Sequence, residues 1–413
     1  MRIFEGAAAG ARVAELANRG NHLASVEREV SRIVTDVRHG GDRALRKYAE
    51  RWDGLKKNQV LRVTPAEIDR AWEETPPEVR SALRQAAARI RSFAIRQKPK
   101  PWMRTQKGIS VGQIVRPLSS VGCYVPGGRY PLPSTLLMTV IPAQVAGVRR
   151  ICVASPRPQK EILAAAALLG VTRVYRTGGA QAIAALAYGT ESISMVDKIV
   201  GPGNSYVTAA KKRVAFDCAI DFLAGPTEVV VVSHMGDPAL IASDLVAQAE
   251  HDPEALAVFI TSSLPLAGQV AFAARQLARE NPAASRSLGK NGSVLRAASR
   301  AEAMAWANRL APEHITVSPQ DFRQVRNAGS IFVGEYSPQA AGDYASGPNH
   351  VLPTGGAARF RGGLTVSDFV KVITVQRLSR TGLGRIASVV ETLAEAEGLH
   401  AHAHSVRLRF PHA

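Results

Sequence analysis

Cysteine is scarce in this chain: three among 413 residues, Cys123, Cys152 and Cys218, each in apolar surroundings. An odd number with no paired spacing excludes a disulfide framework. It points to free thiols in a reducing compartment, so a cytoplasmic location is expected. Long apolar runs are missing too. With no stretch of about 18 apolar residues, no membrane span is expected. The opening "MRIFEGAAAGARVAEL" has no extended apolar core and carries Glu5 and Glu15, unlike a secretory signal. Aromatic residues make up only 6%, and acidic residues are outnumbered by basic ones, 34 to 52, giving a formal net charge of +18. Such a charge suits nucleic acid, a membrane surface or an anionic small ligand. Without a basic tail, zinc-finger spacing or many aromatics, a nucleic-acid partner is not expected. A basic solvated surface is the simpler account.

What remains is ordinary globular material, 46% hydrophobic and 21% charged, in a chain long enough for two or more domains. Residues 24 to 95 read as helices. Val26, Val30, Ile33, Val34 and Val37 form one apolar face, "HGGD" breaks it, and Thr64 with Pro65 starts another helix. From about residue 110, short β-rich runs alternate with glycine turns and helices. "SSVGCYV", "RRICVASP", "RVYRTGG" and "DKIVGPGN" each lead into a helix. A second alternation runs through "TEVVVVS", "ALAVFITSS", "HITVS" and "GSIFVGE". Alternation of this kind predicts parallel sheets with helices on their faces. The expected fold is two Rossmann-like open α/β domains with an incomplete dinucleotide fingerprint, plus small helical N- and C-terminal segments. After Phe369 the tail reads as helical, ending in the strand-like "SVRLRF".

Three loops carry glycines between a strand and a helix: "PGG" (126 to 128), "GG" (178 to 179) and "GPGN" (201 to 204). Glycine admits close approach of a phosphate, and a helix N-terminus offers free N–H groups. In open α/β sheets, loops of this kind bind ligands, and Tyr124, Gln181 and Asn204 stand close by to meet a ribose or base. Glycines also make plain tight turns, and no G-x-G-x-x-G motif follows a strand.

In "SDLVAQAEHDP", Gln248 and His251 are three positions apart and share a helix face. "GDYASGPNH" holds Asp343 and His350, and "EGLHAHAHS" holds Glu397 and three alternating histidines. A divalent ion accepts amide oxygen, imidazole nitrogen and carboxylate oxygen. Gln248, His251, Asp343 and one tail histidine would form such a set, though spacing does not choose among His400, His402 and His404. In "APEHITV", Glu313 stands beside His314 just before a strand. A carboxylate and an imidazole at one pocket can move two protons near neutral pH.

Taken together, "YVPGG", "GGAQAIAALAYGT", "KIVGPGNSYV", "AGPTEV", "SDLVAQAEHDP", "APEH", "GDYASGPNHVLPT" and "EGLHAH" resemble the histidinol dehydrogenase family, in family order from about residue 110 to the C-terminus. The resemblance implies oxidation of L-histidinol to L-histidine through L-histidinaldehyde with two NAD, the last steps of histidine biosynthesis. It implies one zinc ion per subunit on Gln248, His251, Asp343 and His402, with Glu313 and His314 as the proton-transfer pair. Thr227, Glu397, His314 and the metal ligands would surround the substrate, and Tyr124, Gln181 and Asn204 would meet NAD. It also implies a homodimer whose C-terminal segment completes the neighbouring site. The chain would then divide into an N-terminal segment (1–20), a metal-binding catalytic domain (21–123 with 229–365), a nucleotide-binding domain (124–228) and a dimerisation segment (366–413). Thr227 departs from the usual Ser of this family. Related zinc- and NAD-dependent dehydrogenases that oxidise sulfonated diols are therefore an alternative, and a basic nucleic-acid-binding protein is the alternative of another class.

Overall fold

The computed structural model describes residues 1–20, 23–127 and 131–410. His22, His412 and Gly128 of the "PGG" loop lie outside the described residues. The chain forms two compact units, Met1–Gln97 with Ser119–Phe369, and Lys98–Leu118 with Val370–Ala413.

The first unit contains both parallel sheets that the alternation predicts. One has five strands, in spatial order Val174–Tyr175, Arg150–Ala154, Ser120–Tyr124, Lys198–Val200, Ala219–Ile220. The other has six, in spatial order Arg2–Glu5, Ser293–Arg296, Leu256–Thr261, Glu228–Val232, His314–Val317, Ser330–Val333. All neighbours in both run parallel. The central strand Glu228–Val232 shows why its sequence is an unbroken apolar run. Val229 and Val231 enter the core on one face of the six-stranded sheet, and Val230 and Val232 enter the core on the other. The N-terminal segment is not purely helical: Arg2–Glu5 pairs with Ser293–Arg296 before the helix Gly6–Ala17 begins.

The helix Ala24–Trp52 buries Val30, Ile33, Val34 and Val37 as its periodicity requires. The "HGGD" break is a kink at Gly41, with φ 52 and ψ −139. Thr64 caps Pro65–Glu74 through a capping box with Glu67. In the five-stranded sheet, Gly201 has φ +115, and a Cβ there would meet the Tyr124 carbonyl oxygen at 2.1 Å, so only glycine lets these two strand ends lie side by side.

In the second unit, Trp102–Gln106, Ile109–Pro117 and Val370–Leu378 form a three-stranded antiparallel sheet. Here the sequence reading needs correcting. The stretch after Phe369 begins as a strand, and helix starts only at Arg380. Residues 405–407 of "SVRLRF" end the helix His400–Arg407, with Ala403 and Val406 buried three positions apart on one face. The pairing partner of Val370–Leu378 lies some 260 positions earlier, out of reach of local periodicity. Among the described residues, no helix is long and apolar enough to cross a membrane.

Candidate active site

The five-stranded sheet ends at Ile220, and residues 221–227 carry the chain from its carboxyl edge to the amino edge of the six-stranded sheet. Thr227 and Glu228 open one strand there, and Glu313 and His314 open its neighbour, with His314 in register with Val229. The helix Pro238–Ala249 returns toward that edge and delivers Gln248, with His251 just beyond its end. A short helix, Gln339–Tyr344, delivers Asp343.

The Glu313 carboxylate is buried. Its Oε2 accepts from the Thr227 hydroxyl at 2.6 Å and from the Glu228 N–H at 2.8 Å. Burial pushes its pKa up to about 7, against the pull of His314 and of these two donors. His314 is equally buried, and its Nδ1 lies 3.1 Å from the Glu228 carbonyl oxygen. A carbonyl only accepts, so Nδ1 carries a proton and Nε2 faces Asp343 Oδ1 at 3.6 Å. Burial opposes charge on this ring, yet the Glu313 and Asp343 carboxylates more than compensate, raising its pKa to about 9. Asp343 is itself held below the ordinary carboxylate range: burial works against it, and His314, His350 and His251 prevail.

The Gln248 amide donates to the Thr227 hydroxyl. Gln248, Thr227, Glu313, His314 and Asp343 thus form one continuous polar path. His251 is exposed at its margin, close enough for its charge to act on Asp343 and His350. Among the described residues, no three His, Cys, Asp or Glu side chains stand close enough together to hold a metal. Gln248, His251 and Asp343 nevertheless offer an amide, an imidazole and an ionised carboxylate at one edge, the donor chemistry that suits zinc. In the second unit, Glu397 and His402 are exposed, whereas His400 Nδ1 is engaged with Glu395 Oε2 at 2.5 Å.

The three residues assigned to a nucleotide all lie at the carboxyl edge of the five-stranded sheet. Tyr124 and Gln181 are buried. The Tyr124 hydroxyl accepts from Gly179 N–H at 3.1 Å, and Gln181 Nε2 donates to Asp53 Oδ2 at 3.0 Å. Exposed Asn204 caps the helix Ser205–Val214 by accepting from Tyr206 and Val207. The backbone N–H of Gly178 is taken by Asp53 at 2.9 Å, and that of Gly201 by Asp221 at 2.7 Å. Side chains able to meet a ribose or base are present, but these two amides already hold carboxylates where a phosphate cradle would need them free.

Local reading missed four contributors: Arg19, Asp53, Glu228 and the role of His350. His350 Nδ1 donates to the Asp343 carbonyl at 2.9 Å and so fixes the loop that carries the carboxylate. Glu228 does follow Thr227 in "GPTE", and that adjacency was its only local signal.

A buried carboxylate–imidazole pair at the amino edge of a parallel sheet, with cation-binding donors beside it, defines an α/β enzyme equipped for proton transfer. The family model for histidinol dehydrogenase matches residues 16–410. The histidinol dehydrogenase of Haloarcula marismortui is 50% identical over 399 residues, covering 94% of each chain. That of Geobacter metallireducens is 46% identical over 399 residues, covering 93% of this chain and 92% of its own. A crystal structure of histidinol dehydrogenase from Elizabethkingia anophelis has a TM-score of 0.92 at 34% identity, covering 99% of this chain and 97% of that one. The chain belongs to the histidinol dehydrogenase family, and its activity is the oxidation of histidinol in histidine biosynthesis. Neither the sulfonated-diol alternative nor the nucleic-acid-binding one is favoured beside this match.

Proposed function

We propose that the chain oxidises L-histidinol to L-histidine through bound L-histidinaldehyde, with two NAD as oxidants and one zinc ion per subunit. The observation that carries this reading is the buried Glu313–His314 pair, with Thr227, Gln248 and Asp343 gathered on it. Gln248, His251, Asp343 and His402 would hold the zinc. When bound, the ion supplies a Lewis-acid charge at the substrate's amino alcohol.

His314 takes the hydroxyl proton at Nε2, since Nδ1–H is committed to the Glu228 carbonyl. As a ligand, Asp343 would no longer support charge on the ring, and the imidazole would return toward the neutral form that accepts a proton. As the proton leaves the alcohol oxygen, hydride would pass from carbon to the first NAD, leaving the aldehyde bound. Glu313, poised near 7, removes a proton from water adding to the aldehyde. His314 returns its proton to the aldehyde oxygen as water adds, giving the gem-diol. A hydroxyl proton then goes back to His314 Nε2 as hydride would pass to a second NAD. The acid so formed releases its remaining proton to water and leaves as the carboxylate.

Nucleotide binding at 124–228 and metal binding and catalysis at 229–365 follow this chemistry, whereas within 21–123 the helix Ala24–Trp52 and the strand Ser120–Tyr124 pack with the five-stranded sheet. The C-terminal segment, 366–413, would pair two chains as a homodimer and bring Glu397 and His402 to the neighbouring site. Three buried free cysteines support a cytoplasmic location. No nucleic acid or membrane partner enters this reading. The test is NADH formed per histidinol consumed, expected to be about two for a four-electron oxidation. Glu313→Gln should stall at the aldehyde, and an unimpaired second oxidation in that variant would overturn the role given to Glu313.

A further inference from the structure

We infer that Arg19, just past the N-terminal helix, is a positioning residue for the Glu313–His314 pair, acting through Glu228. The inference rests on the proton-transfer roles proposed above. Glu228 is buried, and each of its polar groups is in use. Its N–H donates to Glu313 Oε2 at 2.8 Å, and its carbonyl accepts from His314 Nδ1 at 3.1 Å. Its Oε2 accepts from the Glu313 N–H at 3.3 Å, and its Oε1 accepts from Gly355 N–H at 2.9 Å. Glu228 and Glu313 therefore clasp one another, each carboxylate on the other's backbone N–H. Two like charges meet in one buried space, and Glu228 pushes Glu313 toward its protonated form.

Arg19 answers that repulsion from 209 positions away. Its Nε donates to Glu228 Oε1 at 2.6 Å and its Nη2 to Oε2 at 2.7 Å, a two-pronged fork. Its Nη1 donates to the Leu16 carbonyl at 2.6 Å, which anchors the guanidinium on the end of its own helix. The fork neutralises Glu228, and the guanidinium's bonds go to Glu228 and to its own helix. The negative charge of the clasp then belongs to Glu313 alone, and the Glu228 backbone keeps its hold on both reacting side chains. Without Arg19, Glu228 and Glu313 separate or one of them takes up a proton, and either outcome disturbs the groups that meet substrate.

The experiment compares Arg19→Gln, Arg19→Lys, Glu228→Gln and the double variant R19Q/E228Q as full-length protein in zinc-containing buffer. The readouts are kcat and KM for histidinol, with thermal melts alongside. R19Q should lose about 30-fold in kcat with KM nearly unchanged, the scale a small misplacement of a reacting group produces. R19K, which keeps the charge, should retain most of kcat even where its melting temperature falls as far as that of R19Q. R19Q/E228Q carries no uncompensated buried charge, so it folds even if R19Q does not. It should recover most of the lost kcat. Equal kcat losses in R19Q and R19K, a double variant that folds yet is no faster than R19Q, or an unimpaired R19Q would each overturn the inference. A Glu313→Gln enzyme with normal kcat would instead sink the proton-transfer reading, whatever the Arg19 series gives.

Discussion

The Thr227 hydroxyl stands between Gln248 and Glu313, accepting from the amide of one and donating to the carboxylate of the other at 2.6 Å. It orients a group proposed to bind metal and a group proposed to move a proton at once. Thr227→Ser keeps the hydroxyl, so its kcat should stay close to wild type. Thr227→Val keeps the shape but leaves the buried Gln248 amide without this acceptor and Glu313 without this donor. Orphaning such groups costs about 1–3 kcal/mol, so kcat should fall about 10- to 100-fold. Steady-state NADH production checks both, and a fully active valine variant would remove Thr227 from the path.

Asp343 is held ionised among three histidines, with His314 Nε2 at 3.6 Å and His350 Nδ1 at 4.0 Å. An anionic ligand in that position binds a divalent cation without first releasing a proton. Dialysis against a chelator should therefore abolish histidinol oxidation, and added zinc should restore it. Asp343→Asn and His251→Asn should each weaken zinc binding by about tenfold or more, read by competition with a chromogenic chelator. Undiminished affinity in both variants would place the ion elsewhere.

Much of this site was legible along the chain because its parts sit at predictable points of helices and strands. Gln248 lies on the helix its apolar spacing announces. That helix stops at Ala249, so His251 stands exposed beyond its end and does not share the face the spacing implied. Glu313 and His314 stand at the start of a strand that their apolar successors announce. What stayed hidden depends on tertiary partners. Nothing near Arg19 announces Glu228, and nothing near Asp53 announces that its carboxylate would occupy Gly178 N–H. The antiparallel sheet was missed although Lys107 and Gly108, with φ 49 and 81, make the kind of two-residue hairpin turn that Gly favours. Its third strand arrives only after Ser119–Phe369 has intervened.

Lys211 and Asp221 form a buried ion pair at 2.6 Å that secures the Gly201 turn on both its groups. Lys211 Nζ donates to the Gly201 carbonyl at 2.5 Å, and Asp221 Oδ2 accepts from Gly201 N–H at 2.7 Å. Lys211→Met leaves a buried carboxylate without its counter-ion, which should destabilise the fold by about 3–5 kcal/mol. Loosening this turn should also raise KM for NAD, because Asn204, proposed to meet the nucleotide, lies three residues further on. Denaturant unfolding measures the first effect. A loss below about 1 kcal/mol would mean that the lysine is dispensable there.

Glu67 tests the electrostatics away from the site. Its carboxylate accepts from Thr64 N–H at 2.9 Å, the Thr64 hydroxyl at 2.8 Å and Arg176 Nη2 at 2.5 Å. Partial burial works against the charge, but these donors win and bring the pKa down to about 2 from an ordinary 4.5. A carboxyl depressed by folding stabilises above its unfolded pKa, and that contribution fades as pH falls toward the folded one. Glu67→Gln should therefore melt below wild type by a constant amount from pH 8 to about 5. The gap should narrow through pH 4 and 3, where the unfolded wild-type chain takes up the proton first. The side chain is 40% exposed, so solvent screens the interaction and the full gap should be only about two degrees. Melting curves of both proteins across that pH series decide the matter: a gap that stays flat down to pH 3, or widens, would show that the donors around Glu67 do not favour its ionised form.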